Sequence, residues 1–193
     1  RGLGDVYKRQ DRESLKILIE NINSEIKDLD NDISLVVIND ASSQQIVDTY
    51  PNIENINSIE IINMKENRGH ARCIASGLKY IFEKKEFDFV IPMDGDGEDR
   101  PEEITNFIQL SEQSSEKSII GERIKRSEGS IFKACYQFHK FLTLAFTGKS
   151  IKFGNFTCLS KSTVKKLLDE KATWNSFSGS LKKIEKDLIS IPS

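Results

Sequence analysis

The chain's apolar positions fall into two alternating kinds of block. Leu15, Leu18, Ile19, Ile22, Ile26 and Leu29 recur at helical spacing and predict an amphipathic helix over about 12–29. Ile33–Ile38 is a short, nearly continuous apolar run that stops at Asn39-Asp40-Ala41-Ser42-Ser43, the pattern of a buried strand followed by a polar loop. Ile59–Met64 reads as a second strand. Ala71, Ile74, Ala75, Leu78, Ile81 and Phe82 mark a second helix, opened by Asn67-Arg68-Gly69. Phe87–Met93 reads as a third strand that ends at Asp94-Gly95-Asp96-Gly97-Glu98-Asp99. Pro101, Glu102 and Glu103 then suit the first turn of a helix, where proline lacks nothing and acids face the positive end of the dipole. Ser118–Gly121 predicts a fourth strand, followed by the charged run Glu122-Arg123-Ile124-Lys125-Arg126. A helix over about 130–146, a strand near Phe156–Leu159, two shorter helices and a last strand over Leu188–Ile191 complete the pattern. Strands alternating with helices predict an α/β fold with a mostly parallel sheet.

Composition narrows the classes. With 193 residues the chain suits one domain and can bury a sizeable core. Lys plus Arg is 28 against 30 for Asp plus Glu, a net charge of −2, which argues against charge-driven binding to nucleic acid. No apolar run approaches the ~20 residues needed to cross a bilayer. The richest stretch, Ile131–Thr147, is interrupted by Lys133, Gln137, His139 and Lys140. Cys73, Cys135 and Cys158 are widely spaced and form no zinc pattern, so free thiols and a reducing compartment are expected. The first ten residues read as neither a good strand nor a good helix. They resemble translated sequencing-adapter read-through and are set aside from the functional reading.

In α/β sheets, ligands gather at the carboxyl ends of the strands, where this chain places Asp40, Asp94 and Asp96. Two carboxylates two residues apart, with glycines around them, can face one hard cation such as Mg²⁺ or Mn²⁺. The other reading of this loop is a solvated turn, for which Gly-Asp-Gly is good chemistry. An EF-hand loop starting at Asp94 fails, because Asp99 and Thr105 stand where Gly and Glu are required. A phosphatase of the haloacid dehalogenase type would need Thr or Val where Glu98 stands. Neither the P-loop nor the G-x-G-x-x-G pattern occurs.

Taken in order, the segments resemble the family 2 glycosyltransferases. Val36-Val37-Ile38-Asn39-Asp40-Ala41-Ser42-Ser43 is similar to their strand and "DDGS" segment. Asn67-Arg68-Gly69-His70-Ala71-Arg72 with Ala75-Ser76-Gly77-Leu78 is similar to their "N-x-G-x-x-x-A…G" helix start. Met93–Pro101 is similar to their "D-x-D…P" loop, and Gly121-Glu122-Arg123 with Lys125-Arg126 to the basic segment after the next strand. Gly154-Asn155-Phe156 and Trp174-Asn175 resemble features of a bacterial subgroup related to polyprenyl-phosphate sugar transferases.

The resemblance implies a GT-A fold over residues 11–193, truncated at both ends, lacking a native first strand and so leaving two strand edges exposed. It implies a nucleoside-diphosphate sugar donor and a divalent cation, Mg²⁺ or Mn²⁺. Asp40 would contact the nucleoside. Asp94 and Asp96 would hold the cation on the donor diphosphate, with Glu98 a further ligand. Arg123 and Arg126 would approach phosphates. The acceptor would be a lipid phosphate or a cell-envelope glycan, with no nucleic acid. The setting would be cytoplasmic or the cytoplasmic face of a membrane, with peripheral contact. Many relatives place an Asp near Asn155, whose amide cannot act as a base; Asp99 is the candidate base, or else a cap for the helix near Pro101. His70 is read either as a partner of donor phosphates or sugar or as a structural contact. Trp174 is read as a sugar platform or as packing. The alternatives are a Mg²⁺-dependent phosphohydrolase built on Asp94 and Asp96, and a non-catalytic nucleotide-sugar-binding domain.

Overall fold

A computed structural model of the chain describes residues 3–42, 50, 53–97, 99–114, 117–122 and 153–192, with side chains described from residue 13 onward except those of residues 122 and 192. The elements run α1 (Leu3–Glu25), β1 (Ser34–Asn39), β2 (Ser58–Asn63), α2 (His70–Lys84), β3 (Phe89–Val90), α3 (Glu103–Gln113), β4 (Ile119–Glu122), β5 (Phe153–Ser160), α4 (Lys161–Asp169), a 3-10 turn (Lys171–Trp174), α5 (Phe177–Ile184) and β6 (Ile189–Pro192). The helix expected over 130–146 lies outside the described residues, as do Cys135 and His139.

Strands β1 and β2 pair in parallel. A second sheet has the order β3-β5-β4-β6, with β4 and β6 parallel and β5 antiparallel to both of its neighbours. Among the described residues β1, β2, β3 and β6 each pair on one side only.

Helices cover both faces. Leu18, Ile19, Ile22 and Ile26 of α1 are buried together with Ile104 and Phe107 of α3 against Ile119, Phe156 and Cys158. On the other face Leu78 of α2, Val164 and Leu167 of α4, and Phe177 and Leu181 of α5 pack on Ile120, Phe153 and Leu159. Strand β5 alternates with period two: Phe156 and Cys158 enter the first core, Phe153 and Leu159 the second. Each fully buried large aliphatic or Phe contributes about 1.5–3 kcal/mol relative to exposure, so the two cores dominate the stabilisation. The first core also takes in Leu35 and Ile59 of the β1–β2 pair, which ties the two sheets to one interior.

Two helix starts differ from the sequence reading, and strand β3 is shorter and β5 longer than expected. Helix α1 begins at Leu3, so residues 3–10, expected to be neither strand nor helix, are helical. Residues 5–10 carry neither proline nor glycine, and a formed helix extends at little cost per added residue. Helix α3 starts at Glu103; Pro101 and Glu102 form the turn before it, with Glu103 and Ile104 donating to the Arg100 and Pro101 carbonyls. The shorter helices are capped by serines: Ser160 accepts from Thr163 N at 3.3 Å, and Ser176 from Gly179 N at 3.3 Å.

Candidate functional site

Asn39, the last residue of β1, is buried and braces the loop that leaves the strand. Its Nδ2 donates to Asn63 Oδ1 at the end of β2 (2.7 Å), and its Oδ1 accepts from Ser42 N (3.0 Å). These bonds fix the ends of two parallel strands and aim the next residue, Asp40, at the start of α2. Ala41 then turns in the left-handed region, φ 55°, a conformation that L-residues other than Asn and Asp rarely adopt.

The Asp40 carboxylate accepts two backbone donors, Arg68 N to Oδ1 (2.7 Å) and Gly69 N to Oδ2 (2.8 Å). Gly69 caps α2 at φ 83°, and no side chain caps the helix. The aspartate therefore stands in as an anionic partner for the positive end of α2. Partial burial pulls the Asp40 pKa up, but the Arg68 and Gly69 N–H groups and the Cys73 thiol outweigh it, and the net shift is down. The neighbouring Cys73 thiol is pushed up to about 11, by burial first and then by the Asp40 charge. Cys73 and Cys158 are both free thiols, as expected.

The acidic loop follows β3. Asp94 is partly buried, and its backbone N–H donates to Asp99 Oδ2 at 2.8 Å. Asp99 is buried, so it ties the loop across its base. Asp96 and Gly97 are exposed, with Gly97 at φ 80° making the turn. Asp94 Oδ1 is enclosed and receives no hydrogen bond. Its near neighbour is His70, the first residue of α2, whose Nε2 lies 3.3 Å away. The same ring nitrogen is 2.6 Å from Nδ2 of Asn155 on β5. Residues from α2, the β3 loop and β5 thus converge at one point.

Among the described residues, no three His, Cys, Asp or Glu side chains gather to hold a metal ion. The carboxylates nonetheless fit a hard cation: an enclosed, anionic oxygen without a hydrogen bond is costly unless a positive group faces it. Of the residues singled out in the sequence, Asp40, Asp94, Asp96 and Asp99 lie on the loops after β1 and β3, with Asp40 joined to the start of α2 and Asp94 to Asp99. Glu98, Arg123 and Arg126 lie outside the described residues. Trp174 is half-buried in the 3-10 turn, and Asn175 beside it is exposed. Sequence reasoning missed the Asn39 brace and the His70–Asn155 contact. The signals were polar amides at a strand end and inside an apolar strand, positions that need a partner.

A family model described as "Glycosyl transferase family 2" matches residues 6–170. The chain belongs to the family 2 glycosyltransferases, with the α/β GT-A fold of that family. It is 28% identical over 169 residues to an undecaprenyl-phosphate 4-deoxy-4-formamido-L-arabinose transferase of Proteus mirabilis, covering 85% of this chain and 48% of that protein. The protein of the same name from Photorhabdus laumondii is 26% identical over 156 residues, covering 79% of this chain and 45% of the relative. An uncharacterized protein, MJ0544, of Methanocaldococcus jannaschii is 27% identical over 108 residues, covering 54% of this chain and 47% of that protein. The chain spans about half the length of these relatives.

Proposed function

We propose that residues 11–193 form a catalytic domain that transfers a sugar from a nucleoside diphosphate to the phosphate of a polyprenyl lipid, at the cytoplasmic face of a membrane. The observation that carries this reading is the Asp94–Asp96 turn, with its enclosed, unbonded Asp94 oxygen, at the carboxyl end of β3. Asp94 and Asp96 would hold a divalent cation, Mg²⁺ or Mn²⁺, with Glu98 as a further ligand. When bound, such a cation offsets the negative charge that develops on the departing diphosphate.

The chain's own residues then have distinct tasks. Asp40, locked to the start of α2, shapes the floor on which the nucleoside would lie. Arg123 and Arg126 supply guanidinium forks that suit phosphate oxygens. In the transfer, the bond from the sugar's anomeric carbon to the diphosphate oxygen breaks and its electron pair leaves with the diphosphate. A lone pair of an acceptor oxygen forms the new bond to that carbon.

The roles of Asn155, which faces His70, and of Asp99 support an acceptor that needs no base from either residue. Asn155 cannot take a proton, and Asp99 is engaged in tying the loop. A hydroxyl acceptor needs a base, whereas a phosphate monoester is already anionic and does not. The relatives named as undecaprenyl-phosphate transferases support the same choice. Among the described residues no helix is long and apolar enough to cross a membrane.

The test is transfer of labelled sugar from UDP-, GDP- and CDP-sugars to short-chain polyprenyl phosphate, with a polyprenol as control. Label in the phosphate lipid alone supports the reading. Phosphate release without any acceptor would favour a phosphohydrolase. Donor binding with no transfer to either lipid would favour a non-catalytic binding domain.

A further inference from the structure

The contact among His70, Asp94 and Asn155 has unusual chemistry. One ring nitrogen faces an amide at 2.6 Å and a carboxylate oxygen at 3.3 Å. If the Asn155 amide donates to Nε2, that nitrogen is an acceptor with no proton left for Asp94. The lone pair of Nε2 then points toward an enclosed oxygen that itself receives no hydrogen bond. Two electron-rich atoms held together without a proton between them are stabilised by a cation.

Their spacing suits that role. Ligand atoms about 2.1 Å from an ion, in an octahedral shell, lie about 3.0 Å from one another. The His70–Asp94 and Asn155–His70 separations of 3.3 Å and 2.6 Å bracket this value. The Asn155 side chain can serve both states, because a half-turn of its amide exchanges nitrogen for oxygen. Each of the three residues is also fixed from behind. His70 follows the Asp40-bound Gly69, Asp94 is tied by Asp99, and Asn155 lies within β5. The His70 side chain is 55% exposed, which leaves the cluster open on one side for an ion to enter.

We infer that His70 Nε2 and the Asn155 side-chain oxygen join Asp94 as ligands of the divalent cation, making a mixed nitrogen–oxygen site that prefers Mn²⁺ to Mg²⁺. The preference is relative: Mn²⁺, like Mg²⁺, favours oxygen ligands, but as a transition ion it tolerates one imidazole nitrogen, whereas Mg²⁺ demands a stricter octahedron and gives up its waters reluctantly. The inference rests on the metal-dependent function proposed for this site.

The test is pulsed electron paramagnetic resonance of Mn²⁺ bound to the whole chain in the presence of UDP, GDP or CDP, with no turnover required. Directly coordinated imidazole gives ¹⁴N modulation, which converts to the ¹⁵N pattern when histidine alone is ¹⁵N-labelled. His70→Gln should abolish the modulation and weaken Mn²⁺ by about tenfold or more, while Mg²⁺ binding changes less. Asn155→Leu should weaken Mn²⁺ yet keep the histidine signal. Bound Mn²⁺ with no histidine modulation in the unmutated, folded chain overturns the inference and leaves the carboxylate site standing. A fall in Mn²⁺ affinity in His70→Gln without such modulation in the parent also overturns it, since His70 would then only orient Asp94. Failure of a folded chain to bind Mn²⁺ with any of the nucleotides overturns both readings.

Discussion

Removing the Asp40 carboxylate should loosen the start of α2. In Asp40→Ala the Arg68 and Gly69 N–H groups lose partners now at 2.7 and 2.8 Å. A hydrogen bond to a charged group contributes about 1.5–3 kcal/mol when well shielded, but this carboxylate is partly exposed and water can replace it, which reduces the pair to about 1–2 kcal/mol. Loss of an anion at the helix N-terminus adds about 0.3–1 kcal/mol. The expected loss is therefore about 2 kcal/mol for Asp40→Ala. Asp40→Asn keeps one acceptor oxygen and sets an NH₂ against a backbone donor, so about half the loss or more is expected. Urea denaturation followed by circular dichroism reads this directly. The pH dependence supplies an internal check. Because the folded pKa of Asp40 is lowered, its contribution is fully present above the ordinary value of 3.8 and is lost as pH falls through the lower folded pKa. The stability gap between the parent and Asp40→Asn should thus narrow below about pH 4. An unchanged denaturation midpoint in both variants, or a gap that widens in acid, would refute the clamp.

Three further substitutions probe the frame around the site. Phe107 is fully buried and meets Phe156 edge-to-face at 4.7 Å, so Phe107→Ala should cost about 3–5 kcal/mol in the same denaturation experiment. Ala41 holds a left-handed φ of 55°, so in Ala41→Gly relief of about 1–2 kcal/mol of backbone strain should offset the added chain entropy, giving equal or higher stability. A Cβ at Gly77 would stand 3.1 Å from Ile38 Cγ1, where α2 rests on β1; Gly77→Leu should therefore overpack that contact and lose about 1–3 kcal/mol, with a lower melting temperature.

Much of this arrangement is legible in the order of residues alone. The apolar spacing of α2 and the run at Ile33–Ile38 mark elements within a residue or two of their observed bounds. The loops bearing Asp40 and Asp94 fall at strand ends because each apolar run stops abruptly at polar, turn-forming residues, Asn39-Asp40 in one case and Asp94-Gly95 in the other. Strand β3 is harder. Its apolar run covers Phe87–Met93, yet only Phe89 and Val90 pair, because pairing depends on a neighbour and β3 has one on one side only. The Asp40 clamp and the tie from Asp99 to Asp94 are hidden for another reason. A carboxylate reads the same in sequence whether it faces a ligand or a backbone N–H, and only the fold decides between them. The His70–Asn155 contact joins residues 85 positions apart, and no local pattern encodes it.

The most direct test of the account is calorimetric titration of UDP, GDP and CDP into the folded chain, with and without Mn²⁺, alongside Asp94→Asn and Asp96→Asn. The account predicts that one nucleotide binds in a Mn²⁺-dependent way. Each substitution should weaken that binding at least about tenfold while leaving the circular dichroism spectrum unchanged. Undiminished, metal-independent binding in both variants, or no nucleotide binding by the folded parent, would contradict it.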